Sequence, residues 1–407
     1  MVNNKKKIKI KNIAVLIENI EYGGTTTHLI NLINSNKYKS VKFFIITNKN
    51  NKGINSILSS CNKKNYKIIY YNSFFIPFTD LKVIKLIHFF LKPILFIFSI
   101  FQMMQIIKEL KFDILLADFG GYGDFRTEMS GIIAAKILKK KRLFLLIHHC
   151  YTKPILWNNL INKFLSSIIG NCVKGIIFVS NATKKNILKN TYLTRFLKGK
   201  AIVIHNGVDL KYKKLKKIKK FSKYRTKLKV LMLSRIESYK GHDDLVEAFE
   251  KLSKKIKNKY IVLFVGSGKP RDIERLKKKI IFSNLQNNFK FISFLNFNSI
   301  RILKSVDIFF SLTRDFEGFG YSIAESLLAK TPVVSTKVGG TMEFLNKDNS
   351  VLVNPKDIKK ISQTLEKFSK NRLNFRRKAI KGKLLIEKKF NSELMGNKFY
   401  NFFDETI

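Results

Sequence analysis

Residues 313–344 read TRDFEGFGYSIAESLLAKTPVVSTKVGGTMEF, and the reading of the whole chain turns on them. A loop punctuated by Gly318 and Gly320 runs into SIAESLLAK, whose apolar spacing predicts a helix. A short β-branched run, PVVST, follows and predicts a buried strand. Glu317 falls in the loop and Glu325 in the first turn of the expected helix, so the two carboxylates do not share a helical face. Between them Phe319, Gly320, Tyr321 and Ser322 present backbone N–H groups at a helix N-terminus, which is an anion site. Two acids bracketing such a loop suit a ligand with hydroxyls at both ends and phosphate in the middle, as in a nucleoside-diphosphate sugar. Ser322 and Glu325 also have the spacing of a capping box, in which their side chains only tie down the helix start. Both readings stand on these residues alone.

Working outward, 407 residues with 45% hydrophobic and 26% charged content give room for two domains with separate cores. Cys61, Cys150 and Cys172 form no CxxC pair and suggest neither a disulfide framework nor a zinc site. The opening MVNNKKKIKIKN is basic, but the apolar run after it stops at Glu18, too short for a signal peptide. The expectation is a cytoplasmic protein in a reducing compartment. A net charge of +50 and a pI near 10.1 point to a polyanionic partner, nucleic acid or an anionic membrane surface. The abundance of Lys, Asn, Ile and Phe equally fits an AT-rich genome, in which lysine accumulates on surfaces without a binding purpose.

In chain order, NIAVLI (12–17) reads as a buried strand, EYGGTTTH (21–28) as a loop and the residues from His28 as a helix. Strand, Gly-Gly turn and helix open a doubly wound α/β domain. Gly23 and Gly24 serve either a tight turn or the close approach of a ligand to the backbone. VKFFIITN, YKIIYYN and KFDILLADF read as further strands. Between them, 84–107 (IKLIHFFLKPILFIFSIFQMMQII) is the most apolar stretch, to be set against the ~20 predominantly apolar residues that a spanning helix needs. Lys92, Pro93, Gln102 and Gln105 interrupt it, leaving a buried domain helix or an interfacial helix touching lipid; the lysines and many Phe favour the second. RLFLLIHHC (142–150) ends a strand at His148-His149, where such folds bind ligands. GIIFVS and AIVIHNGVDL complete the first half, with Asn206-Gly207 as a turn.

KYKKLKKIKKFSKYRTKLK (211–229) is a break in composition. Tyr212, Leu215, Ile218 and Phe221 recur every third residue on it, as in a segment lying on an anionic surface or in a solvated connector. VLMLS then starts a second half, and RIESYKGHDD places Arg235 and Lys240 around a short loop before a helix. Two cations at a strand end are what a diphosphate leaving group needs; at ~4 Å and an effective dielectric of ~20 each charge pair is worth ~4 kcal/mol before desolvation. IVLFVGSG, FKFISFL and VDIFFSL supply strands for a second parallel sheet.

The block EGFGYSIAESLLAKTPVVSTKVGGTMEF resembles the donor-site signature of retaining GT-B glycosyltransferases, glycosyltransferase family 4 above all. SRIESYKGHDDLVEAF resembles the family's arginine–lysine diphosphate motif, including Gly241, and IHNGVD its strand and turn at the edge of the cleft. The resemblance implies an α/β fold of the GT-B type, two Rossmann-like domains facing across a central cleft. Residues 1–210 would form the acceptor-side domain, 211–229 a basic linker, 230–385 the donor-binding domain and 386–407 a helix crossing back. It implies transfer of a sugar from a UDP- or GDP-sugar to an acceptor hydroxyl with retention. By the same resemblance Arg235 and Lys240 meet the diphosphate, with the amides near Gly320, Tyr321 and Ser322. Glu325 takes the ribose hydroxyls, Glu317 the donor sugar, and Gly23 and Gly24 line the cleft. His148 approaches the transferred sugar, so Glu317 and His148 are the catalytic candidates. GSG (266–268) and the loop near Phe294 fall where the family holds the nucleotide base.

No DxD motif or His/Cys cluster stands in the sequence, so no metal and no cofactor is expected. The expected acceptor is a saccharide, lipid-linked, in lipopolysaccharide, capsule or O-antigen synthesis. That places the protein peripherally on the inner face of an anionic membrane, with no nucleic acid partner. The competing classes are a basic nucleic-acid-binding protein and a non-catalytic family member acting as a partner subunit.

Overall fold

The computed structural model describes residues 10–75, 82–123, 125–151, 158–211, 215–293 and 299–406. They form two compact units, Met1–Gly207 with Ser392–Ile407, and Val208–Asn391.

The first unit is built on β1 (Asn12–Ile17), β2 (Lys42–Asn48), β3 (Tyr66–Tyr71), β4 (Ile114–Phe119), β5 (Leu143–Ile147), β6 (Gly175–Phe178) and β7 (Lys200–Val203). All pair parallel in the order β3-β2-β1-β4-β5-β6-β7. Parallel strands joined by helices are covered on both faces, and continuous Val/Ile/Leu/Phe runs are what such strands need. Ile13 through Ile17 and Leu143 through Ile147 are accordingly buried throughout. The order reverses between β1 and β4, so the crevice at their C-terminal ends is the place for a ligand.

The helix Lys82–Lys108 joins β3 to β4 and carries Pro93 within it. Phe96, Met103 and Ile107 on one side belong to the core, with the Phe96 ring 4.9 Å from that of Phe125. The other side faces solvent. Along one face the helix is thus part of the domain core, the first of the two alternatives left by the sequence.

The helix Ser392–Glu405 also belongs to this unit. Phe399, Phe402 and Phe403 are buried, and Phe403 and Phe402 stand 4.9 and 5.7 Å from the Phe144 ring of β5. Gly175 at the start of β6 makes room for them, since a Cβ there would meet the Phe402 ring at 2.5 Å.

The second unit contains β8 (Leu228–Leu233), β9 (Tyr260–Val265), β10 (Phe289–Ile292), β11 (Ile308–Ser311), β12 (Val333–Thr336) and β13 (Val351–Val353). They too are parallel, in the order β10-β9-β8-β11-β12-β13, with the reversal between β8 and β11. Phe249, Phe264 and Phe289 pack ring against ring in its core.

The basic segment after Asp209 is packed onto the second unit and is not a freely solvated connector. Ile218 and Phe221 are buried. The Ile218 N–H donates to Ser305 Oγ at 2.7 Å, and Lys304 Nζ donates to the Leu215 carbonyl at 2.9 Å. Ile218 and Phe221 cover the second unit's own surface while Lys216, Lys217 and Lys223 are exposed, as on an amphipathic segment. Tyr212 lies outside the described residues.

Phe403→Ala should remove packing that only the C-terminal helix supplies to the first unit. A loss of ~3–5 kcal/mol is expected for deleting a buried aromatic ring. It should be read as a lower urea midpoint for the transition of that unit, with the second unit's transition unmoved.

Candidate functional site

The reversal point of the second sheet gathers the motifs that the sequence singled out there. Arg235 and Lys240 follow the end of β8, and Glu317 follows β11, its neighbour. Lys240 Nζ donates to Glu317 Oε2 at 2.8 Å, and the two side chains are only 12% and 21% exposed. Burial pushes the Lys240 ammonium down, but the Glu317 carboxylate outweighs it and holds the group above its ordinary value. Thr313 Oγ1 also approaches Glu317 Oε2, at 3.4 Å.

Arg235 stands farther out. It pairs with Glu237 at 2.8 Å and donates from Nη2 to Tyr239 Oη at 3.3 Å. Lys240 Nζ lies 4.8 Å from the centre of the same Tyr239 ring, so one aromatic side chain orients both cations. Tyr239 is in turn fixed by its carbonyl, which accepts from the Arg314 N–H at 2.7 Å. The Arg314 guanidinium clamps Asp244 in the next helix.

The loop carrying Glu317 is held by the double glycine that follows β12. The Gly340 N–H donates to the Glu317 carbonyl at 2.8 Å. At Gly339, with φ +53°, a Cβ would stand 2.1 Å from that same carbonyl oxygen. A side chain at this position would therefore push the Glu317 loop away as well as strain the backbone.

The helix after the loop is Tyr321–Leu328, with Gly320 as its N-cap in the left-handed region at φ +84°. No side chain caps it, which removes the capping-box reading. Ser322 lies inside the first turn rather than at its start, and Glu325 lies one turn farther in than expected. Glu325 is buried and its pKa is pushed up to about 7, by burial, against a hydrogen bond from Ser299 that favours the ionised form. The Tyr321 and Ser322 amides occupy the first turn at Gly320, as an anion site requires. Gly266–Gly268 follows β9 and is tied to the end of β8, the Ile236 N–H donating to the Ser267 carbonyl at 2.7 Å. Phe294 lies outside the described residues.

In the first unit Gly23 caps the helix Gly24–Ile33. Its φ of −164° is extended backbone, and a Cβ there would meet nothing within 4 Å. Neither turn geometry nor packing demands glycine at this position. His148 follows β5 and is 9% exposed, with Nε2 2.8 Å from Asp118 Oδ1, although the pair is not in line for a hydrogen bond. The His28 ring meets it edge-on at 4.9 Å between centroids. Asn206 Oδ1 lies 2.8 Å from His28 Nδ1, and Asn31 donates to the Gly207 carbonyl. Burial, then the neighbouring His148, hold His28 well below the ordinary histidine value, against the Asn206 contact. His149 instead sits 3.1 Å from Cys150 Sγ, which separates the two histidines.

Sequence reasoning missed His28, Asp118, Asn206 as a side chain, Tyr239 and Arg314. Asp118 was within reach of it, because it too sits at a strand end beside a reversal point. It also missed Glu128, buried at the start of the helix Thr127–Ile137, whose pKa rises to about 8 through burial and then the nearby Glu18. Among the described residues no three His, Cys, Asp or Glu side chains are grouped to hold a metal ion.

Glu325 gives a pH signature. The folded protein keeps its proton up to about pH 7, while the unfolded chain releases it near 4.5. This contribution to stability is therefore complete below pH 4.5 and is lost as pH rises to 7. The loss is roughly 3 kcal/mol. Glu325→Gln should gain stability over the wild type between about pH 5 and pH 8, read from urea midpoints; equal midpoints at both pH values would contradict the burial of an ionisable carboxyl.

Comparison with known proteins bears on both halves. Residues 22–212 match the model described as Glycosyltransferase Family 4, and residues 213–383 the one described as Glycosyl transferases group 1. An uncharacterized glycosyltransferase of Methanocaldococcus jannaschii is 25% identical over 74% of this chain and 81% of its own. The crystal structure of HepE from Anabaena, solved with UDP and glucose, has a TM-score of 0.75 at 16% identity, over 96% of this chain and 98% of that one. A glycosyltransferase structure from Rickettsia africae gives 0.73 at 21% identity, over 98% and 99%. The fold is that of the GT-B glycosyltransferases. With the two models matched end to end in chain order, the protein belongs to the group 1 glycosyltransferases of family 4.

Proposed function

We propose that the protein is a retaining, metal-independent hexosyltransferase using a UDP- or GDP-sugar. Its acceptor is the hydroxyl of a lipid-linked saccharide in the synthesis of lipopolysaccharide, capsule or O-antigen, at the inner face of the cell membrane. The observation that carries the donor-site reading is the Lys240–Glu317 pair at the sheet's reversal point, beside a glycine-capped helix. A UDP complex of HepE supports the donor class.

In transfer, the bond from the anomeric carbon to the phosphate oxygen breaks with its electron pair on the diphosphate, and the acceptor oxygen forms the new bond as it gives up its proton. Lys240 and Arg235 oppose the charge developing on the diphosphate, together with the amides at Gly320, Tyr321 and Ser322. The diphosphate competes with Glu317 for the Lys240 ammonium, which leaves the Glu317 carboxylate to position the donor sugar. Glu325 accepts the ribose hydroxyls; a buried carboxyl with a pKa of about 7 gains its negative charge as those donors arrive. In the first unit His148, beside Asp118, is the catalytic candidate, and the unfilled space at Gly23 is kept for close approach of a ligand to the backbone, with Gly24 next to it.

A panel of UDP- and GDP-sugars, followed by thermal shift and by donor hydrolysis, tests the reading. One donor should stabilise the wild type and not Lys240→Ala, and the variant should lose ~10²–10³ in turnover, as for removal of a charge-stabilising donor. If no sugar nucleotide shifts the wild type, and the protein binds DNA with a steep salt dependence instead, the transferase reading falls.

A further inference from the structure

From Phe90 onward the helix Lys82–Lys108 has one buried face and one largely exposed face, on which the Phe98 ring lies 6.3 Å from that of Phe74. Phe96, Ser99, Met103 and Ile107 are buried toward the sheet. On the opposite side Phe90, Leu91, Ile94, Ile97, Phe98 and Phe101 are between 43% and 67% exposed. Their steps of three and four residues place them in a single stripe along the helix. Six large apolar side chains in one row approach the ~300–600 Å² of the largest apolar patch on a typical monomer, and patches of that size mark interaction sites.

Two occupants could cover such a stripe, a second copy of the chain or the apolar layer of a membrane. Charge separates them. Pressing two copies together brings two chains of +50 into contact, and self-repulsion opposes that. In sequence, the stretch from Lys82 to Lys111 holds Lys82, Lys85, Lys92, Lys108 and Lys111 against the single acid Glu109. An apolar row with cationic ends matches acyl chains beneath anionic headgroups. Phe90–Lys108 is long and apolar enough to cross a bilayer by length and composition, yet its inner face is built into the sheet's core. It can lie along the surface of a bilayer without spanning it.

We infer that this helix face docks the enzyme on an anionic lipid bilayer, lying in the plane of the interface. For its purpose the inference rests on the proposed lipid-linked acceptor, since docking would confine enzyme and acceptor to one surface. The docking itself depends on no sugar nucleotide.

The test is co-sedimentation with vesicles of phosphatidylglycerol and phosphatidylcholine, against vesicles of phosphatidylcholine alone, at low and high salt. The comparison is between wild type and Ile94→Gln/Phe101→Gln, two exposed positions where a good helix former keeps the fold. The wild type should partition onto the anionic vesicles, more weakly onto neutral ones, and less as salt rises. The double variant should partition at least tenfold less while keeping the same thermal shift with the donor found in the sugar-nucleotide panel. Binding of the variant equal to that of the wild type overturns the assigned face even if the enzyme is membrane-bound. Absence of wild-type binding to anionic vesicles overturns docking altogether, as does a wild-type dimer that the double substitution converts to monomer. Vesicle binding that behaves as expected, with no donor response in the wild type, sinks the transferase reading and leaves the docking face intact.

Discussion

The contact on which the second unit's site depends is the ion pair between Lys240 and Glu317. The partners are 77 residues apart in sequence. They meet because β8 and β11 are neighbours at the point where the sheet's strand order reverses. Everything around the pair serves its geometry: Tyr239 under the ammonium, Arg314 holding the Tyr239 backbone, and Gly339 and Gly340 against the Glu317 carbonyl. A partly buried pair of this kind adds little net stability, because desolvation offsets most of the attraction. Removing either partner is costly, since the other is left uncompensated. Such a pair is poorly suited to stapling a fold and well suited to exchanging one anion for another.

Much of this was legible in the sequence for one physical reason. Parallel strands buried on both faces appear as unbroken apolar runs, and ligand residues stand directly after them. Arg235, Lys240 and His148 were singled out by that rule, and Glu317 by its glycine-bracketed loop before a helix. Of the two readings left open at Ser322, the capping box falls because Ser-x-x-Glu is a local pattern that does not fix where the helix starts, and the N-cap is Gly320. The lysines of 211–229 hid the burial of Ile218 and Phe221, since a long cationic side chain over an apolar base looks solvated. His28, Asn206 and His148 could not be joined from sequence, because His28 and Asn206 lie 178 residues apart and meet only once β1, β5 and the turn after β7 are in place.

The charge looks different once burial is known. Among the described residues no Lys or Arg is buried, whereas Asp118, Glu128, Asp209, Asp243, Asp244 and Glu325 all are. The 78 cations are therefore largely a property of the surface, and the 28 acids supply most of the specific electrostatic structure inside. This is the distribution expected if lysine enrichment is tolerated wherever water can reach it.

The placement of Phe399, Phe402 and Phe403 has a consequence for how the chain is made. The second unit, Val208–Asn391, is one continuous segment and is complete as soon as it leaves the ribosome. The first unit lacks the ring cluster against Phe144 and the filling of the hollow at Gly175 until the helix Ser392–Glu405 emerges. The half synthesised first is thus the half completed last, and until then its surface at Phe144 and Gly175 lacks the Phe402 and Phe403 rings. Domains fold as units as they are synthesised, and exposed apolar surface in the interval is what chaperones recognise. The last packing contact of the first unit therefore follows the synthesis of the whole second unit.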